Sequence, residues 1–194
     1  MTTLQFRPFA AAAALAICGI ALIGCTTSGP QDHASTASSN ASVDAQIDAT
    51  LSKLYSTVPG AREMVDTSKG MLIFPSVVGG SFVIGAEYGR GALQINGQTQ
   101  RYYSIAGGSL GPQFGAQSKA IIYLFTTQQA LEKFLASQGW TVGLDATVAL
   151  ASIGANGHVD TATMRAPVVG FVLANAGLEF GASIEGMKVT ESRM

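Results

Sequence analysis

The chain is poor in the residues that most chemistry needs. Lys+Arg number 11 and Asp+Glu 12, so charged residues make up 12% of 194 positions, well below the ~25% of ordinary soluble domains. With 47% hydrophobic residues this is not the composition of a disordered chain, and the length suits about one domain with a real core. A net charge of -1 supplies no field to hold phosphates, which excludes nucleic acid as a partner. His33 and His158 are the two histidines, and neither stands in a pattern that would give a nucleophile its base. No cysteine cluster or histidine pair is spaced for zinc, and no dense Asp/Asn loop for calcium. Neither G-x-x-x-x-G-K-(S/T) nor a G-x-G-x-x-G turn before a helix occurs, which removes the common nucleotide sites. Nothing in the acid spacing points to a paired-carboxylate glycosidase. We read a non-enzyme with no cofactor and no metal.

What is present begins with an address. Arg7 is the single cation before an apolar run from Phe9 to Ile23, and no acid precedes Asp32. The run is shorter than the ~20 residues that span a bilayer and suits a signal-peptide core. It closes on Leu22-Ile23-Gly24-Cys25, which resembles the bacterial lipoprotein signal. That resemblance implies a signal peptide over 1–24 and a Cys25 that carries diacylglycerol and palmitate-type chains. Cys18 would leave with the signal, so Cys25 would be the one remaining thiol and no internal disulfide could form. Two or more acyl chains anchor stably without a transmembrane helix. Thr26 stands where an Asp would retain the protein in the inner membrane, so the sorting rule implies the periplasmic face of the outer membrane.

Residues 25–42 read as the acylated cysteine and a flexible tether, Ser/Thr-rich with no aliphatic side chain above Ala. As a coil such a tether reaches on the order of 20–25 Å, and His33 is a solvated residue within it.

The folded segment is read as 43–194. Val43, Ile47, Leu51, Leu54, Tyr55 and Val58 form the stripe of an amphipathic helix with Ser42 as N-cap. Pro59 to Lys69 reads as a second helix closed by Gly70, and Thr127 to Ser137 as a third. Met71–Phe74, Phe82–Tyr88, Ala92–Asn96, Arg101–Ala106, Lys119–Thr126, Val168–Ala174 and Leu178–Ile184 read as strands, with Asn96-Gly97 a hairpin turn. The fold expected is α+β: a curved or barrel-like antiparallel sheet with a few packed helices and a helical N-terminus.

Gly85-Ala-Glu87-Tyr88-Gly89, Gly111-Pro-Gln113-Phe114-Gly115 and Gly177-Leu-Glu179-Phe180-Gly181 share the form G-x-(E/Q)-aromatic-G, and Gly143-Leu-Asp145 matches it in part. On a strand, alternation places the glycines and the acid or amide on one face and the aromatic on the other. Two readings follow. In the commoner one the glycines let strands bend or approach, and the acids meet solvent or pair with Arg90, Arg101 or Lys119. In the sharper one Glu87, Gln113, Asp145 and Glu179 line a narrow ligand groove.

Several further runs carry a family resemblance: Ile73-Phe74-Pro75, Gly79-Gly80, Gly85-x-x-Tyr88-Gly89-x-Gly91, Tyr103-Ser104, Ser109-x-Gly111-x-Gln113-x-Gly115-Ala116-Gln117-Ser118, Gly143-x-Asp145-Ala146 and Gly177-x-x-Phe180-Gly181-x-Ser183-x-Glu185-Gly186. From Ile73 to Gly186 the chain resembles the SYLF-domain family, a lipid-binding module also found in eukaryotic actin-patch regulators. The resemblance implies binding of phospholipid head groups with an N-terminal amphipathic segment involved. Actin binding, known for fungal members, does not carry over to a periplasmic lipoprotein. Lys53, Arg62 and Lys69 on the N-terminal helices are the candidate lipid-binding cations, interleaved with Glu63 and Asp66. At about 1 kcal/mol per cation near an anionic surface their pull is weak. Two functions therefore stand: a lipoprotein whose domain binds membrane lipid with anionic phospholipid head groups, or an interaction lipoprotein that binds an envelope protein or glycan and uses lipid only as anchor. The protein partner is unknown.

Overall fold

The computed structural model describes residues 31–81, 84–110, 115–152, 159–174, 177–179 and 184–192. The signal region, Cys25, Gln113 and His158 lie outside them.

From Gln31 to Val58 the chain holds neither Pro nor Gly, and helix α1 occupies Gln31–Thr57. The helix thus begins inside the stretch read as tether, and His33 belongs to it. The lack of helix breakers is one reason; the other is tertiary. Arg90 on the sheet donates to Ser39 Oγ and, at 3.1 Å, to Asn40 Oδ1, which fixes the turns ahead of the apolar stripe. Val43, Ile47, Leu54 and Val58 are buried as the periodicity requires. A turn at Pro59-Gly60, with Gly60 at φ 82°, leads into α2 (Ala61–Thr67). That helix is shorter at both ends than the 59–69 expected, because the left-handed Gly60 precedes its first turn and Gly70 already opens a strand.

Four long strands follow: β1 (Gly70–Ser81), β2 (Ile84–Ile95), β3 (Gln98–Leu110) and β4 (Gly115–Phe125). The two segments 82–88 and 92–96 read as separate strands are one strand, β2. The glycines between them, Gly89 and Gly91, are sites of close approach rather than breaks. At Gly91 a Cβ would lie 2.0 Å from the Ile73 carbonyl oxygen, so only glycine fits there. The register shift that causes this lies at Phe74-Pro75, between the pairs Ile73–Ala92 and Ser76–Arg90. Proline in a bulge forfeits no ladder bond. The β2–β3 turn is as read, with Asn96 and Gly97 both at positive φ (53° and 73°).

Thr127 caps α3 (Gln128–Ala136) by accepting the Ala130 N–H. The rest consists of short elements: β5 (Trp140–Thr141), β6 (Ala149–Leu150), α4 (Thr161–Met164), β7 (Val168–Ala174), β8 (Gly177–Leu178) and β9 (Lys188–Glu191). The order is β5-β9-β3-β2-β1-β4-β7-β6, with β8 beside β7. Every pairing among these strands is antiparallel except β6 with β7. Of the strand read over 178–184, β8 takes in Leu178, while Glu179 and Ile184 lie outside any strand and 180–183 lie outside the described residues.

Both faces of this sheet are buried over much of β1, β4 and β7. Along β4, Ile121, Tyr123 and Phe125 join one cluster with α3, Trp140, Ile184 and Met187, while Ile122 and Leu124 join the other with α1 and α2. Two-sided burial explains the unbroken apolar runs of β1, β4 and β7. The curl follows from one contact. Trp140 and Tyr123 stand five strand steps apart in the order, about 24 Å if the sheet were flat, yet their ring centroids are 5.3 Å apart. The sheet therefore rolls into a half-barrel with α3 and Trp140 on its concave side and α1 on its convex side. The fold is α+β with a curved sheet, as expected.

Candidate functional site

The first glycine motif behaves as strand alternation requires: Gly85, Glu87 and Gly89 are buried, and Ala86 and Tyr88 are exposed. Glu87 stands opposite Gly79 of β1, and a Cβ on Gly79 would meet the Glu87 Cγ at 2.8 Å. The missing side chain lets Glu87 lie across β1 and reach β4. There Lys119 Nζ sits 3.0 Å from Oε2 and 3.1 Å from Oε1, with side-chain exposures of 17% and 8% for the lysine and the acid. Two rungs further along β4, the buried Tyr123 hydroxyl has no hydrogen-bond partner among the described residues. Burial first, and the nearby Glu87 charge second, push its pKa well above the ordinary phenol value.

Of the four groove residues named from the sequence, Glu87 and Glu179 share one cleft, lined also by Val77, Gly79, Ser118, Lys119 and Ala174. Its volume is about 30 Å³, room for roughly one water. Asp145 is elsewhere, in the turn after β5, where its carboxylate accepts the Thr141 N–H at 2.6 Å and its carbonyl accepts Lys133 Nζ at 2.7 Å. Gln113 lies outside the described residues. The spacing Gly107-Gly108-Ser109-Leu110-Gly111 is that of a serine elbow, but Ser109 lies within β3, paired with Gly85, and not at a strand-to-helix turn.

The three cations named from the sequence are set apart. Lys53 Nζ donates to the Ala174 carbonyl at 2.7 Å. It borders a cleft of about 190 Å³ whose lining includes Thr50, Ser118 and Lys119 and no carboxylate. The Arg62 guanidinium stacks over the Tyr55 ring at 4.0 Å, on the side of α1 that faces α2 and the 96–97 turn. Lys69 is exposed and joins the sheet through its backbone, donating to Phe125 O at 2.8 Å.

A larger groove of about 450 Å³ lies between the end of α3 and β9, floored by Tyr103, Phe134 and Trp140 and rimmed by the Arg101–Glu191 pair at 3.1 Å. Sequence reasoning missed it because its walls come from three distant segments and no local spacing unites them. Among the described residues, no helix is long and apolar enough to cross a membrane, and no group of three or more His, Cys, Asp and Glu is gathered for a metal.

These features define a class: an α+β domain on a curled sheet, with a charge-paired interior and open clefts flanking its helices. Residues 106–194 match the family model described as Ysc84, Las17-binding protein actin regulator, so the SYLF resemblance is borne out over that span. The match takes in the end of β3 and every later element, while the Pro75 bulge and the glycines that fit it precede it. No curated protein matches the chain.

Proposed function

We propose that this chain is a non-enzymatic lipoprotein, anchored through Cys25 to the periplasmic face of the outer membrane, whose SYLF-like domain binds phospholipid by its anionic head group. The observation that carries the head-group reading is the cleft beside Lys53, lined also by Thr50, Ser118 and Lys119 and by no carboxylate. The Lys119 ammonium is turned away to Glu87, which leaves Lys53 and the two hydroxyls as the set suited to a phosphate oxygen. The family match over 106–194 supports a binding role. Las17 binding and actin regulation belong to that family's description and do not pass to an exported chain. The Leu22–Cys25 sequence supports the anchor.

The test is co-sedimentation of the chain from Thr26 onward, without acyl groups, with vesicles of graded anionic content at low and moderate salt. Salt-sensitive binding is expected, lost on charge reversal of Lys53 and weakened less by reversal of Arg62 or Lys69. Lys53 and Arg62 are both already engaged within the protein, and this favours the second reading, an interaction lipoprotein. Absence of vesicle binding, together with a partner captured by crosslinking in cells, would establish that reading instead. Cys25→Ser is expected to abolish labelling of the protein by radioactive palmitate.

A further inference from the structure

Beyond α1, none of the described residues covers Val78 and Tyr88 on the convex face of the sheet. One rung runs Ser118–Val78–Tyr88–Ala106 across β4, β1, β2 and β3, with each neighbour in direct register. Val78 is 50% and Tyr88 56% exposed, the two exposed large hydrophobics on strands among the described residues, and they stand on neighbouring strands. The next rung, Gly80–Ala86–Gly108, is smaller still. No charged residue occurs from Gly70 to Ala86 or from Tyr102 to Ser118. Of the nearby charges, Glu87 and Lys119 are turned to the concave side and paired with each other, Arg90 is held by Ser39 and Asn40 of α1, and the exposed Lys188 stands opposite Ala106 where β9 continues the rung. This end of the sheet thus offers a convex surface with one amphipathic ring at its centre and its cations, Arg90 and Lys188, at the margins.

We propose that this face, centred on the Val78–Tyr88 pair, rests against the lipid bilayer when the protein is membrane-bound. The chain's own layout selects a bilayer over other occupants. Arg90, two residues from Tyr88 on the same strand, holds Ser39 and Asn40 of α1. Gln31 lies eight residues before Ser39 along the helix, about 12 Å away. Cys25 lies six residues before Gln31, within about 20 Å at full extension. The membrane-seeking end of the chain is therefore leashed beside this acid-free face, and on a leash much shorter than a tether reaching to residue 42 would give. Contact with head groups and upper acyl chains removes Val78 and the Tyr88 ring from water and leaves the phenol hydroxyl among polar groups, the position tyrosine favours at bilayer interfaces. Arg90 and Lys188, at the margins of the contact, have long side chains that keep a cation at head-group level. The proposal rests on the anchor reading above, but not on the Lys53 cleft.

The test uses the full acylated chain reconstituted in phosphatidylcholine vesicles, with an environment-sensitive fluorophore on Tyr88→Cys, on Val78→Cys, or on Gln129→Cys as an exposed reference on α3. The expected result is a blue-shifted emission at Tyr88→Cys and Val78→Cys, quenched several-fold more by nitroxide lipids and several-fold less by aqueous iodide than at Gln129→Cys. Equal iodide quenching at all three positions overturns the proposal. A disulfide-linked dimer through Tyr88→Cys that persists on dilution into excess lipid also overturns it, by giving the face to a second copy. Labelling of the unsubstituted chain reports a free Cys25, hence failure of the anchor reading. Loss of the Lys53-dependent vesicle binding with protection at Tyr88→Cys retained separates the two proposals in the other direction.

Discussion

Glu87 reaches Lys119 across an intervening strand, and the strand between them carries glycine, Gly79, at the crossing point. A carboxylate on β2 and an ammonium on β4 are thereby neutralised inside a sheet whose interior is otherwise apolar. The pair closes the cleft that Glu179 borders to about the size of one water.

Breaking the pair from one side leaves a buried charge unmatched. Glu87→Leu alone and Lys119→Met alone are each expected to lower unfolding free energy by about 3–5 kcal/mol, whereas the double variant recovers most of that loss. Urea denaturation of the four proteins checks this. Additive losses in the double variant would deny the coupling.

Gly91 has a different kind of necessity. Its missing Cβ makes room for the Ile73 carbonyl at the Pro75 bulge, with a clash distance of 2.0 Å against backbone that cannot swing away. Gly91→Ala is expected to cost more than about 3 kcal/mol. Gly108→Ala, whose nearest neighbour would be at 3.8 Å, is expected to stay within about 0.5 kcal/mol of the parent. Thermal melts that rank the two in the opposite order would place the strain elsewhere.

That bulge also shows what the sequence makes legible. Ile73-Phe74-Pro75 and Gly89-x-Gly91 stand out as motif pieces, yet only the register shows that one is the knob and the other the hole. β7 is found at the limits read, since in the sequence its apolar run is bounded by Pro167 and Asn175. The α1 stripe is equally plain. β5 and β9 are too short to carry a period of two, and their pairing joins residues far apart in the chain. The start of α1 was hidden for a similar reason, because Ser39 and Asn40 gain their helical order from Arg90, fifty residues away. For the candidate site, the acid at Glu87 and its partner Lys119 were readable as one option among several. The clefts, which need three or four segments to exist, were not.

Tyr102 ties α1 to the sheet: its hydroxyl donates to Asp44 Oδ2 at 2.7 Å, and Thr99 donates to Oδ1 at 3.1 Å. Burial first, and the Asp44 hydrogen bond second, push the Tyr102 pKa up to about 12 from an ordinary 10.0. A phenol raised in the folded state stabilises the fold while both states keep the proton. That contribution is fully present below about pH 10 and is lost as pH climbs towards 12, because the unfolded chain deprotonates first. Tyr102→Phe is therefore expected to be less stable than the parent near neutral pH, with the gap closing between about pH 10 and 12. Urea midpoints of both proteins across that window check it, and a gap independent of pH would contradict the role given to the phenol.

Tyr123 makes the opposite prediction. Its ring packs edge-on against Phe74 and Trp140 at 6.4 and 5.3 Å, so the aromatic body is well used. The hydroxyl is buried without a partner among the described residues, which costs about 1–3 kcal/mol of desolvation with nothing returned. Tyr123→Phe keeps the ring and deletes the unpaired group, and is expected to raise the melting temperature by several degrees. A lowered melting temperature would mean that the hydroxyl has an internal water, held in common with Glu87, and the interior of the half-barrel would then be wetter than its side chains alone require.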